Sequence, residues 1–323
     1  MRLRRMPSDS PTPLDEVASV PHGATARRLT WPFLPPELRS EIEHRLGSEV
    51  VDAASQDSGF TAGFASVLTG ADGRRLFVKA ASRVAQVQAA ASYAEEARKH
   101  QLLGDAIPAP RLDWVIDDDW VVLGFEAVEA QAPRRPWRPE EIRRALDLAV
   151  DVAVATETVP DALALNPLVV DLPPLLTGWD TVPDSWPHHA DAVELTARFA
   201  GLPADRFVHS DLRDDNILLT DDGRALACDW NWPALGPVWL DAVVLLASAH
   251  GDGLDAEALL RDCALTRDAD PHDVDAWLAA LCGFMLGART RPVPMNSPHL
   301  RTHAEWYAAA TWSWLTRRRK WGR

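Results

Sequence analysis

Between Arg206 and Trp230 the chain reads RFVHSDLRDDNILLTDDGRALACDW, six aspartates and one asparagine among two short apolar runs. Carboxylates beside strands are costly to desolvate unless a cation sits between them. ILLT and RALAC flank DDG, and Asp222-Gly223 is a strong signal for a two-residue hairpin turn. With the turn centred on that pair, Asn216 and Asp229 face each other at the open end of the hairpin. An amide oxygen and a carboxylate are hard ligands suited to Mg2+, which takes few protein groups and completes its shell with phosphate oxygens. The hairpin is expected to be a metal clip.

Five residues before Asn216 stands Asp211, preceded by His209, so the segment reads His-x-Asp-x-x-x-x-Asn as HSDLRDDN and ends in CDW. This pattern resembles the catalytic loop of protein kinases and of the aminoglycoside phosphotransferase and choline kinase-like enzymes. The resemblance implies that Asp211 accepts the proton of a substrate hydroxyl, while Asn216 and Asp229 hold Mg2+. His209 is expected to brace the loop. Asp214 and Asp215 are expected to be solvated loop acids. Ser210 replaces the usual glycine of the small-molecule enzymes, and Arg213-Asp214-Asp215 replaces their HPG. Arg213 takes the place of the protein kinases' lysine, which leaves two level readings: contact with the γ-phosphate, or a pair with Asp214. Asp241, in GPVWLDAVVLL, resembles the family's structural aspartate at a helix start.

Of 33 basic residues only Lys79, Lys99 and Lys320 are lysines, so a lysine in a structured position stands out. Lys79 ends the apolar strand RLFVK, where the resemblance places the lysine that contacts the α- and β-phosphates. The bland alternative is a strand-end cation that reaches solvent. The helix that follows offers Glu96 as its partner, with Glu95 as the alternative. The small-residue loop SGFTAG, with Ser58, Gly59, Thr61 and Gly63, is able to bring backbone close to a ligand. By resemblance it covers the phosphates. Phe125 and Ala127 in GFEAV fall at the adenine-contacting hinge. The implied cofactors are ATP, with GTP as an alternative, and Mg2+.

These residues need elements to hold them. PPELRSEIEHRLG reads as a short helix closed by glycine. FASVL and RLFVKA flank the turn TGADGR as a hairpin, and RLDWVI and WVVLGFEAV form another strand pair. Between them VAQVQAAASYAEEARKHQLL is a helix that Gly104 stops. Beyond the Pro-rich AQAPRRPWRP the periodicity turns helical in five segments, interrupted by strands only around the aspartate-rich stretch. The expected fold class is α+β: a two-lobed protein kinase-like fold with a small strand-rich N-lobe and a larger, mostly helical C-lobe. The expected division is a flexible tail over 1–25, the N-lobe over 26–128, a linker over 129–138 and the C-lobe over 139–323.

With 323 residues, 47% hydrophobic and 25% charged, the chain has the composition of a globular protein. A net charge of −14 argues against a nucleic-acid partner, because neutralising phosphates needs a basic face. No run of eighteen apolar residues points to a membrane span. Cys228, Cys263 and Cys282 have no ligand-like or disulfide spacing, which fits a reducing, cytoplasmic location. No activation loop follows CDWNWPALGP, which disfavours a protein kinase. The expected partner is therefore a small-molecule hydroxyl acceptor, bound by a monomer or homodimer. Residues 251–275 carry eight acids against two arginines. If they line the acceptor cleft they favour a cationic, aminoglycoside-like acceptor; otherwise they are a solvated face. The rival readings are a kinase of choline, homoserine or a sugar, and a nucleotide-binding pseudokinase serving as an interaction module. Retention of every catalytic position disfavours the second.

Overall fold

The computed structural model describes residues 25–56, 59, 61 and 63–321, arranged in two lobes of unequal size. Pro36 opens α1 (Pro36–Leu46), where its missing N–H costs nothing, and Gly47 closes it with a left-handed φ of 76°. Five strands build the smaller lobe: β1 (Val50–Ser55), β2 (Phe64–Gly70), β3 (Arg75–Ser82), β4 (Leu112–Asp117) and β5 (Trp120–Glu126). They pair antiparallel in the order β1-β2-β3-β5-β4. Between β3 and β4 runs α2 (Val87–Leu103), which stops at Gly104.

Both faces of this sheet are covered. Phe64, Leu68, Val78 and Val122 pack with Ile42 of α1, while Ala81, Leu123 and Phe125 pack with Ala90, Tyr93 and Ala97 of α2. Side chains alternate along a strand, so Val78 and Ala80 face α1 and the residue between them, Lys79, faces α2. The strand thus dictates which helix can offer the lysine a partner.

The larger lobe contains β6 (Ala130–Gln131), α3 (Pro139–Ala155), α4 (Leu168–Asp171), α5 (Pro174–Thr177) and α6 (His189–Ala200). Then come β7 (Arg206–Val208), β8 (Ile217–Thr220), β9 (Ala225–Ala227) and β10 (Ala234–Gly236). The chain continues with α7 (Leu240–Gly251), α8 (Ala256–Asp262), α9 (Pro271–Arg289) and α10 (Leu300–Arg319). α7 is buried at every position from Leu240 to Ala249, and α3, α9 and α10 pack around it. A helix apolar all round belongs in a core. β6, β8 and β9 form one small sheet, and β7 pairs with β10 in another.

Two details differ from the expected division. The Pro-rich crossing is not wholly a linker, because Ala130 and Gln131 pair with Thr220 and Leu219 of the larger lobe. Thr25, at the end of the expected tail, is buried and donates its hydroxyl to the Gly59 carbonyl at 2.6 Å. Among the described residues, no helix is long and apolar enough to cross a membrane.

One close approach fixes α9. A Cβ on Gly178 would overlap the Gly283 backbone, and one on Gly283 would meet the Trp179 indole at 2.6 Å. Gly178→Ala should therefore lower the unfolding free energy by about 1–3 kcal/mol, the usual cost of overpacking. Urea denaturation checks this, and a variant as stable as the parent would show that α9 can slide.

Candidate active site

The aspartate-rich hairpin forms with a register one residue away from the expected one. Ile217 pairs with Ala227, Leu218 with Leu226 and Leu219 with Ala225. The turn is a three-residue loop, Asp221 to Gly223, closed by the Thr220 N–H donating to the Arg224 carbonyl at 3.0 Å. Gly223, at φ 91°, takes the left-handed position such loops need, and Asp222 accepts from the Thr220 hydroxyl and the Arg224 N–H. Asn216 consequently lies opposite Cys228, whose N–H donates to its carbonyl at 2.9 Å. Asp229 comes one residue later and adopts φ 59°, a left-handed conformation that turns the chain out of the hairpin. The two candidate metal ligands still border the same cleft.

Asp241 at the start of α7 holds the loop before the hairpin. Its carboxylate accepts the N–H of His209 at 2.7 Å and of Ser210 at 2.9 Å. Ser210 sits at φ 64°, which accounts for the glycine it replaces. His209 is fully buried, edge-on to Trp230, with Nε2 3.0 Å from the Cys228 carbonyl. Asn216 Nδ2 donates to the Asp211 carbonyl at 2.8 Å and to Asp211 Oδ2 at 3.0 Å.

Asp214 and Asp215 are not solvated acids. Asp214 is buried and pairs with Arg135 at 2.9 Å. Asp215 pairs with Arg213 at 3.3 Å, and burial pushes its carboxyl up to about 7 against the pull of Arg213. The Arg213 guanidinium lies 2.9 Å from Asp211 and also reaches Asp215 and His303. Sequence could not anticipate Arg135, whose other contacts are Asp252 at 2.6 Å and the face of Trp306 at 4.6 Å.

In the smaller lobe Lys79 Nζ lies 2.9 Å from both carboxylate oxygens of Glu96 and also pairs with Asp229. Burial disfavours its charge, but Asp229 and Glu96 more than offset this and hold the ammonium above its ordinary range. Burial likewise pushes the Glu96 carboxyl up, opposed by Lys79. Glu95 points elsewhere, to Arg98 at 2.7 Å and Lys99 at 3.2 Å.

Thr61, Lys79, Glu96, Phe125, Ala127, Asn216 and Asp229 surround one cleft of about 250 Å³. Ser58 lies outside the described residues. Gly59 has φ 80°, and Gly63 leaves room for the Tyr93 phenol that any Cβ would strike. Arg28, in a stretch without a motif, also borders this cleft and donates to the Gly63 carbonyl at 3.4 Å. Asp211 and Arg213 border a second, adjoining cavity of about 630 Å³.

A divalent cation fits the first cleft by donor chemistry, since Asn216 and Asp229 present hard oxygens. Among the described residues no three His, Cys, Asp or Glu side chains gather as a cage, so phosphate oxygens would have to complete the shell.

The acidic stretch over 251–275 contributes nothing to the wall of the second cavity. Asp252 is held by Arg135, Asp255 caps α8, Asp270 caps α9, Asp273 pairs with Arg198 and Asp275 with Arg318. Those carboxylates serve helix ends and ion pairs, and none of them borders the cavity beside Asp211.

Fold and site together define a two-lobed, protein kinase-like phosphotransferase of the small-molecule type. The chain belongs to the APH phosphotransferase enzyme family, whose model matches residues 58–278. Among solved structures, a thermostable aminoglycoside phosphotransferase APH(4)-Ia with ADP and hygromycin B matches with a TM-score of 0.56. Identity is 15%, over 87% of this chain and 98% of that one. Choline kinase LicA from Streptococcus pneumoniae matches with a TM-score of 0.56 at 14% identity, over 85% and 98% of the two chains. A putative fructosamine-3-kinase from Thermobifida fusca gives 0.52 at 19% identity, over 87% and 100%. At such identities the likeness is one of fold. No curated protein sequence matches the chain.

Arg135 yields a direct test of how this site is held. Arg135→Met removes the cation shared by two buried carboxylates and should cost about 3–5 kcal/mol of stability. Arg75→Ala, which breaks the exposed pair with Glu129, should cost less than about 1 kcal/mol. Equal losses in chemical denaturation would show that Arg135 is no more than a surface cation.

Proposed function

We propose that the protein transfers the γ-phosphoryl group of ATP to a hydroxyl of a small molecule. One observation carries the reading: Asn216 borders the cleft with Lys79 and Asp229, and its amide also touches Asp211, which borders the second cavity. A single side chain therefore joins a place for a nucleotide to a place for an acceptor. The solved aminoglycoside phosphotransferase that matches this chain contained ADP and hygromycin B together, which supports two adjoining sites.

In this reading the adenine lies against Phe125 and Ala127, and Lys79 and Arg28 bring positive charge to the phosphates. Glu96 aims Lys79. Asn216 and Asp229 hold Mg2+, which supplies charge neutralisation on the phosphate oxygens. Asp211 orients the acceptor hydroxyl and takes its proton as the new O–P bond forms and the bond from the γ-phosphorus to the β,γ-bridging oxygen breaks, releasing ADP. The Arg213 guanidinium is engaged by Asp211 and Asp215, so its role is to hold Asp211 in place rather than to touch the γ-phosphate. Such catalysis is mainly positioning and charge stabilisation, which makes the rigidity of the loop part of the chemistry.

Two measurements test the division of labour. Asp211→Asn should leave the thermal stabilisation by Mg·AMP-PNP intact and slow ADP release in the presence of an acceptor by about a hundredfold or more. Parent-like turnover would remove Asp211 from the proton step. Asp229→Ala should lose most of the magnesium-dependent part of the stabilisation by AMP-PNP, and an unchanged shift would remove Asp229 from the metal site.

A further inference from the structure

The cavity beside Asp211 has walls that bear on the chemistry of the acceptor. Its volume of about 630 Å³ lies in the range that accommodates drug-sized ligands. Choline or homoserine would leave most of it unfilled. Leu165, Leu168, Leu172, Trp277, Phe284 and Met285 give it an aliphatic and aromatic surface drawn from α4, the chain on either side of α4, and α9. Trp232 stands at the reacting end: its carbonyl accepts the Ser210 hydroxyl at 2.5 Å, while the residue remains 62% exposed. A large aromatic left open beside a catalytic loop is a surface on which a flat or apolar group can lie.

Charge on the same walls is balanced. Three acids, Glu95, Asp171 and Asp211, face three bases, Arg98, Lys99 and Arg213. Glu95 is paired with both Arg98 and Lys99, and Asp211 with Arg213. Asp171 accepts the Asn166 amide at 2.9 Å and is the one wall carboxylate with no ion pair among the described residues. A polycation gains affinity from uncompensated carboxylates, and one exposed carboxylate gives little.

We propose that the acceptor is a drug-sized, largely uncharged molecule with an apolar or aromatic body and a hydroxyl at the end that meets Asp211. This rests on the phosphotransferase reading and narrows it. It also replaces a cationic acceptor as the expectation, because the carboxylates that suggested one lie elsewhere.

A homologous series of alkyl β-glucosides, from butyl to octyl and kept below micelle formation, tests the proposal by titration calorimetry in the presence of Mg·AMP-PNP. Each methylene that enters the cavity should tighten binding by about three- to fourfold, with little dependence on salt. Met285→Ser should flatten the series, and hygromycin B should bind more weakly than octyl glucoside. Affinity that is flat along the series overturns the proposal, as does tighter, salt-sensitive binding of hygromycin B. Binding of Mg·AMP-PNP is measured first in the same cell. Its absence would defeat the phosphotransferase reading itself, whereas its presence with a flat series defeats only the acceptor class.

Discussion

A buried ammonium shared by two carboxylates sets the terms for the rest of this molecule. Lys79 is almost entirely enclosed, and an ion so placed costs several kcal/mol unless its partners are well aimed. Glu96 comes from the helix packed on the same face of the sheet. Asp229 comes from the other lobe, at the end of the aspartate-rich hairpin. The contact therefore fixes the lobes relative to each other as well as the side chain. It requires Lys79 on the α2 face of β3, Glu96 rather than Glu95 inward on α2, and a left-handed Asp229 to leave the hairpin. A strand, a helix and a turn are all constrained by one positive charge.

The loop that carries Asp211 is held in the same manner. Asp241 binds two of its N–H groups, Arg213 ties Asp211 to Asp215, and Arg135 ties Asp214 to Asp252. In place of the His-Pro-Gly that the family resemblance implied, Arg213-Asp214-Asp215 holds this segment by ion pairs, local ones from Arg213 to Asp211 and Asp215 and a distant one from Asp214 to Arg135. Such pairs gain little net stability over apolar packing, but removing one partner is costly. That asymmetry suits a loop that must be held in one geometry.

Much of the architecture was legible in local signals. Gly47 and Gly104 marked helix ends, and the runs around Ala71–Gly73 and Asp117–Asp119 marked hairpins in the smaller lobe. The scarcity of lysine drew attention to Lys79, whereas the choice between Glu96 and Glu95 as its partner stayed open until α2 was seen packed on the sheet. The hairpin register was missed because Asp222-Gly223 suits a two-residue turn and the end of a three-residue one alike, and Thr220 and Arg224 decide between them. Asp214 and Asp215 looked solvated because their cations are Arg135, 79 residues away, and an Arg213 whose direction sequence does not give. The acid-rich stretch over 251–275 left two readings open because most of its carboxylates are engaged by helix caps and ion pairs visible only once α8, α9 and α10 are packed, while Asp262 and Asp268 stay exposed. Arg28 carried no motif at all.

The two cavities differ in what they ask of a ligand. The one around Lys79 is charged and held by ion pairs; the one beside Asp211 is walled by leucines and aromatics with its charges cancelled. Asn216 and Asp211 form the seam between them. The central claim is that Glu96 acts on the nucleotide only by aiming Lys79. Calorimetric titration of Mg·AMP-PNP into the parent protein and Glu96→Gln tests it most directly. The account predicts an affinity about tenfold or more lower in the variant, the scale of a charge-assisted hydrogen bond to a buried ion. Equal affinities would contradict it.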